Sequence, residues 1–181
     1  GEVWICSGQS NMQMTMKGYR NEPVEHSNSD ILLSTNPLIR MYTVVRETSD
    51  TPLDQCEGTW LHAAPENTVD FSAVGYYFAK DLHAVLDVPI GMICTSWGGT
   101  NSEAWTSAET IEKFDPDILF KSERAHHQPS ALFNGMINPL IPYAIKGAIW
   151  YQGESNRQNP VAYGDLFPAM IDDWRMHWKR G

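Results

Sequence analysis

Ser10 stands in a setting that suits a nucleophile. The chain runs through a short apolar stretch, Val3 to Cys6, breaks at Ser7-Gly8-Gln9-Ser10-Asn11, and from Met12 takes on the pattern of a first helical turn. A hydroxyl at the carboxyl end of a strand, where the chain turns into a helix, lies beside backbone N–H groups that the helix itself leaves unsatisfied. Attack on an ester needs that combination: an attacking oxygen, and donors for the negative charge that develops on the carbonyl oxygen. The same residues have an ordinary use too, since Ser and Asn are favoured helix caps and Gly serves any tight turn. Other segments must decide between the two.

Two more strand exits carry a similar signature. Ile90 to Cys94 is nearly all apolar and runs into Thr95-Ser96-Trp97-Gly98-Gly99-Thr100, and Ala148 to Tyr151 runs into Gln152-Gly153-Glu154-Ser155-Asn156. In a parallel sheet every strand delivers its carboxyl end to one edge, which predicts that Ser10, Gly98 or Gly99, and Gln152 converge. The set would supply a hydroxyl, a glycine N–H that a ligand can approach closely, and a side-chain amide donor. Glu154, expected to be buried at its strand exit, either orients a His or anchors the loop through N–H groups. Asn11, Asn101, Glu103 and Asn156, with Gln9, either fix loops or contact substrate. Trp97, Trp105 and Tyr151 form a sugar-stacking wall or belong to the core.

The elements that must position these residues follow from hydrophobic period. Met14 to Pro37 is a polar, turn-rich excursion, Ile39 to Val45 a strand, and Thr48 to Asn67 a second loop. A helix capped by Ser72 carries Val74, Phe78, Leu82 and Val85 at helical spacing and ends at Leu86-Asp87-Val88-Pro89. Leu132 to Ile141 and Val161 to Trp178 read as further helices, the latter with Phe167, Met170, Ile171, Trp174 and Trp178 as its apolar positions. Strands alternating with helices predict an α/β protein with a doubly wound parallel sheet. A chain of 181 residues fits a single domain over 1–181.

Composition excludes several partners. The formal net charge is −9, and no Lys or Arg cluster precedes Lys179-Arg180, so a nucleic acid is not the ligand. No apolar run approaches the length of a membrane span, and no basic-then-apolar leader opens the chain. It starts at Gly1 without Met and reads as a mature or excised piece. Cys6 and Cys94 end apolar runs, as buried thiols do, whereas Cys56 lies in a polar loop. His126-His127 lacks partners at ligand spacing, so neither a metal nor another cofactor is expected.

Four blocks resemble those of a known family. GEVWICSGQSNM, SAVGYYFAKDL, VPIGMICTSWGGTNSEAW and LFNGMINPLIPYAIKGAIWYQGESN are similar, in order, to the successive blocks of the sialate O-acetylesterase family, a branch of the SGNH (GDSL-type) hydrolases. The resemblance implies a three-layer α/β/α sandwich with a flavodoxin-like doubly wound sheet. It gives Ser10 the nucleophile's role and its N–H a place in the oxyanion hole, assigns a second N–H to Gly98 or Gly99, and puts Gln152 where other SGNH enzymes use Asn as the side-chain donor. The implied partner is an acetylated carbohydrate, a sialic acid first and acetylxylan as the alternative, processed without a cofactor in a periplasmic, secreted or lysosomal setting. A carbohydrate-binding relative that kept the pocket and lost the base is the reading from a different class.

One part of the family pattern is missing. SGNH hydrolases carry their His three residues after an Asp, near the carboxyl end of the domain, and no Asp-x-x-His occurs in this sequence. The expectation is a truncated domain whose base lies beyond residue 181. Of the internal histidines, His177 follows Asp173 by four residues and reads as an exposed helical pair. His126 and His127 precede the helix leading to the last strand; His26, His62 and His83 read as loop or helix-surface residues. Without a base, only the residual catalysis of oxyanion hole and binding is expected, ~10³ to 10⁴ over water.

Overall fold

The computed structural model describes residues 1–179, so Arg180 of the basic pair lies outside the described residues. Five strands form one sheet: β1 (Glu2–Gly8), β2 (Asn36–Thr43), β3 (Trp60–Ala63), β4 (Ile90–Cys94) and β5 (Gly147–Tyr151), in the spatial order β3-β2-β4-β1-β5. β2, β4, β1 and β5 are mutually parallel, and they are the four strands that the apolar runs predict. All five residues of β4 are buried, as its continuous apolar run requires of a central strand.

Two details differ from expectation. The sheet is mixed, because β3 pairs antiparallel with β2 at the edge. β3 falls inside the stretch read as loop; its four residues are too few for an alternating pattern to show. Among the parallel strands, β1 lies between β4 and β5, and β2 extends the sheet beyond β4. The α/β class itself stands. Its consequence for function is that Cys6 stands opposite Cys94 and Gly8 opposite Tyr151. The strand end that leads to Ser10 is therefore flanked by the ends of β4 and β5.

The described residues form two compact units. The first holds the whole sheet and comprises Gly1–Val44, Gly58–Gly98 and Ile145–Tyr151. Its helices are α1 (Ser10–Gln13), α2 (Ser27–Leu32), α3 (Pro65–Thr68) and α4 (Ala73–Leu86). Ser72 caps α4 as expected: its Oγ accepts the Gly75 N–H at 3.1 Å and donates to Met12 O at 2.6 Å. The face of α4 that is most deeply buried is not the large apolar stripe. Ala73, Gly75, Tyr76 and Ala79 are buried, whereas Val85 is 80 % exposed. Small residues let the helix lie close on the sheet; a Cβ on Gly75 would stand only 2.9 Å from Cys6 Sγ. Around this contact Met12, Met16, Ile39, Met41, Phe71, Ile90 and Met92 form one core. α2 interrupts the loop expected from Met14 to Pro37, and its Asp30 is held by Lys80 Nζ at 2.5 Å and Tyr77 Oη at 2.8 Å.

The second unit comprises Val45–Glu57, Gly99–Ala144 and the chain from Gln152 onward. It carries α5 (Ala108–Ile111) and α6 (Pro160–His177), together with short 3₁₀ turns at Ser102–Trp105, Ala125–His127 and Glu154–Asn156. The α-helix expected over Leu132–Ile141 is instead a π turn at Phe133–Ile137 followed by a 3₁₀ turn at Asn138–Leu140. Pro139 has no N–H to continue an α ladder. α6 matches its prediction within a residue at each end, and Asn159 caps it by accepting the Ala162 N–H at 3.3 Å. Leu166, Met170 and Trp174 form its buried face. None of the helices among the described residues is long and apolar enough to cross a membrane, and Cys6, Cys56 and Cys94 form no disulfide among the described residues.

Candidate active site

Gly8 makes the turn into Ser10, and only glycine can occupy it. Its φ is 137°, and a Cβ there would stand 2.1 Å from the Tyr151 carbonyl oxygen. Neighbouring strand ends lock the turn from both sides. Gln9 N donates to Tyr151 O at 3.0 Å, and Trp97 N donates to Gly8 O at 3.0 Å. Gln9, not Ser10, occupies the cap position of α1, and it makes no side-chain cap bond; Ser10 is the first helical residue. The capping use of Ser10 therefore falls away. Ser10 is half-buried, and its carbonyl is bound by Met14 N at 2.9 Å and by Tyr19 Oη at 3.0 Å. Gln9 is buried and Asn11 half-buried beside it.

The exit of β4 closes on the same turn. A Cβ on Gly98 would lie 3.6 Å from both Cα and Cβ of Ser10. The structure thus brings Ser10 and Gly98 together within the first unit. The Gly98 N–H, however, donates to Gln13 Oε1 at 2.6 Å. Sequence reasoning passed over Gln13 and Tyr19. The spacing of Gln13, three residues after Ser10 on α1, was the available signal.

In the second unit, Gly99 is exposed with φ 79°, and a Cβ on it would meet nothing within 4 Å. It lines a cleft of about 330 Å³ with Phe120, Glu154, Ser155, Arg157 and Gln158. Glu154 is exposed there, which corrects the expectation that it is buried; Gly153, at φ 150°, turns the chain outward just before it. Gln152 Nε2 donates to Thr100 O at 3.1 Å and to Asn156 Oδ1 at 2.7 Å. Asn156 Oδ1 also accepts the Ser102 N–H at 3.0 Å, while its Nδ2 donates to Glu103 Oε2 at 2.8 Å. Glu103 further accepts from Asn101 Nδ2 at 3.0 Å and from Phe120 N at 3.0 Å. Asn101, Glu103 and Asn156 are all buried, so they fix loops. Trp105 is fully buried with its Nε1 on Thr100 Oγ1 at 2.9 Å, a core residue, whereas Trp97 is half-buried and Tyr151 exposed.

The histidines divide by environment. Asp173 and His177 are not the exposed pair expected. Asp173 is buried and accepts Ser107 N at 2.9 Å, Ser107 Oγ at 2.6 Å and Thr110 Oγ1 at 3.0 Å, with His177 Nε2 3.4 Å away. It anchors the start of α5, and its position on the stripe with Met170 and Trp174 was the sequence signal. His127 is buried against Phe120, and burial, ahead of the neighbouring His126 and Arg124, pulls its pKa down. Burial and then Arg124 do the same to His126. Among the described residues no three of His, Cys, Asp and Glu gather as metal ligands would.

Comparison with known proteins puts this arrangement in a family. The model of the family described as carbohydrate esterase, sialic acid-specific acetylesterase, matches residues 1–180. The human sialate O-acetylesterase is 37 % identical over 191 residues, covering 100 % of this chain and 36 % of that protein. The mouse sialate O-acetylesterase is 31 % identical over 216 residues, covering 100 % of this chain and 40 % of its own. Among solved structures, a carbohydrate acetylesterase from Xanthomonas citri superposes with a TM-score of 0.89 at 34 % identity, covering 99 % of this chain and 39 % of that one. A protein from Arabidopsis thaliana, 18 % identical with a TM-score of 0.56 over 98 % of this chain and 69 % of its own, shares the fold. The chain spans between 36 % and 40 % of the length of the curated relatives it matches. With the four sequence blocks, the strand-exit Ser10 and a family match over residues 1–180 in agreement, this chain belongs to the sialic acid-specific acetylesterase family of carbohydrate esterases.

Proposed function

We propose that this chain carries the nucleophile of a serine esterase that removes O-acetyl groups from sugars, with an O-acetylated sialic acid as the substrate. Ser10 Oγ attacks the acetyl carbonyl carbon, and the sugar oxygen leaves with a proton. Water then adds to the acetyl-enzyme, releasing acetate and restoring the Ser10 hydroxyl. Ser10 N–H, Gly99 N–H and the Gln152 amide take the oxyanion roles that the family resemblance gives them, with Gly99 preferred to Gly98 because the Gly98 N–H already has a partner in Gln13. At rest Gln152 directs its amide hydrogens to Thr100 O and Asn156 Oδ1; the longer of these bonds, to Thr100, is the one exchanged for the oxyanion. The base belongs to the family's Asp-x-x-His pattern, which residues 1–181 do not contain.

The observation that carries this reading is Ser10 itself: a half-buried hydroxyl at a turn only Gly8 can make, performing no capping duty. The test is hydrolysis of 4-nitrophenyl acetate and of a 9-O-acetylated sialic acid by this chain and by a longer version that continues past Gly181, each with Ser10→Ala. Turnover of both esters by the longer version, lost in Ser10→Ala, is the expected result. Turnover indifferent to Ser10→Ala overturns the mechanism. Turnover of 4-nitrophenyl acetate and acetylxylan but not of the sialic acid ester overturns the substrate, and binding of sugar without any turnover supports the non-catalytic relative.

A further inference from the structure

Glu103 is a carboxylate, 3 % exposed, that faces donors from four places. Asn101 Nδ2 and Asn156 Nδ2 meet its Oε2 at 3.0 and 2.8 Å, Ser102 Oγ lies 3.5 Å from the same oxygen, and Phe120 N meets its Oε1 at 3.0 Å. Among the described residues no Lys, Arg or His forms an ion pair with it. Burying a charge without a counter-charge is costly, and a neutral Gln of nearly the same shape would be cheaper to bury. What Gln cannot do is accept from every side. An ionised carboxylate is acceptor-only, whereas the Gln amide must point an NH₂ group at one of these donors.

That polarity travels. Because Glu103 only accepts, Asn156 must turn Nδ2 toward it and Oδ1 away. Oδ1 then faces the Ser102 N–H and Gln152 Nε2. Gln152 must in turn present its NH₂ group to Asn156 and to the Thr100 carbonyl, leaving Oε1 buried on the other side without a donor. With the amide reversed, Oε1 would face two oxygens, and a developing oxyanion would meet a carbonyl oxygen where it needs an N–H. We propose that Glu103 is a positioning residue for deacetylation: acting through Asn156, its charge fixes the Gln152 amide in the donor orientation. The proposal rests on Gln152 as an oxyanion donor.

The test is a double-mutant cycle on 4-nitrophenyl acetate and a 9-O-acetylated sialic acid in the longest version of the protein that turns them over. Glu103→Gln, Asn156→Ala and Gln152→Ala are measured singly, and each of the first two is combined with Gln152→Ala. Gln152→Ala is expected to lower kcat by ~10²-fold, as loss of an oxyanion donor does. Glu103→Gln is expected to lower kcat by ~10-fold or more with KM nearly unchanged, and to cost almost nothing further once Gln152 is Ala. Asn156→Ala, which leaves Glu103 its Asn101 and Phe120 donors, should show the same non-additivity and keeps the test open if Glu103→Gln folds poorly. Losses that multiply in the double variants mean that Glu103 only supports the fold, and overturn the proposal. Full kcat in Gln152→Ala overturns the donor reading instead, so the two failures are distinct.

Discussion

The Gly98 N and Gln13 Oε1 lie 2.6 Å apart, so the Gly98 amide on the β4 exit is already committed to a side chain of α1. The bond ties the loop after β4 to the helix that Ser10 begins. For that reason we assign the second oxyanion role in the proposed function to Gly99 rather than Gly98.

Gly99 adopts φ 79°, a region where a side chain costs about 1–2 kcal/mol, and the space around it is open. A substitution there tests conformation alone. Gly99→Ala is expected to lower kcat by ~10-fold or more, because relaxing φ reorients the N–H, while Gly99→Asn, which tolerates the left-handed region, retains most of it. Gly98→Ala has no such φ; its Cβ only presses on Gln13 Oε1 at 2.8 Å, and its effect should be smaller. Steady-state rates on one acetyl ester rank the three variants, and a larger loss in Gly98→Ala would return the donor role to Gly98.

Ser10 and Ser72 both stand at helix starts but do opposite work. Ser72 Oγ accepts from Gly75 N and donates to Met12 O, so Ser72→Ala should cost roughly 1–2 kcal/mol of stability. Ser10 makes no cap bond, so Ser10→Ala should change stability by less than about 0.5 kcal/mol while removing turnover. Urea unfolding midpoints beside initial rates check both. A Ser10→Ala protein as destabilised as Ser72→Ala would show that Ser10 is structural.

The sequence discloses what local composition decides. Val3–Cys6, Ile90–Cys94 and Ala148–Tyr151 are short apolar runs ended by Gly-containing turns, and all three became parallel strands with their ends side by side. The place of Ser10 at a strand exit was legible for the same reason. β3 was not, since Trp60-Leu61-His62-Ala63 has no length in which to show a period. Glu154, expected to be buried at its strand exit, is exposed, whereas Glu103, left open between fixing a loop and contacting substrate, is buried among donors. Burial of a polar group is settled by tertiary partners such as Phe120 and Asn156, 17 and 53 residues away in sequence.

Gly8→Ala should be the most damaging single change to the first unit. No movement of a flexible side chain relieves the contact, because the atom 2.1 Å from the added Cβ is the backbone oxygen of Tyr151, paired in the sheet. A loss of about 3 kcal/mol or more is expected. Thermal unfolding measures it; a shift of only a few degrees would mean that β1 and β5 separate at little cost, and that the turn is not rigid.

The Asp30–Tyr77–Lys80 cluster, which fastens α2 to α4, should mark both ends of the stability–pH profile. The Lys80 ammonium, and after it the Tyr77 hydroxyl, hold the Asp30 carboxyl below its ordinary 3.8. Its contribution is therefore complete above that value and fades as pH falls through and below it, where the native state must take up the proton it excludes. Tyr77 is displaced the other way: burial, and then the bond to Asp30, push its hydroxyl from 10.0 up to about 12. The folded protein keeps that proton longer than the unfolded chain, so its contribution is complete below 10.0 and is lost as pH rises from there through about 12. Asp30→Asn should flatten the acid limb, and Tyr77→Phe the alkaline limb, each leaving the opposite limb closer to wild type. Urea midpoints measured across both limbs check this. An unchanged acid limb in Asp30→Asn would show that other carboxylates govern acid unfolding and that α2 is held by its apolar contacts, Ile31 against the core, rather than by the cluster.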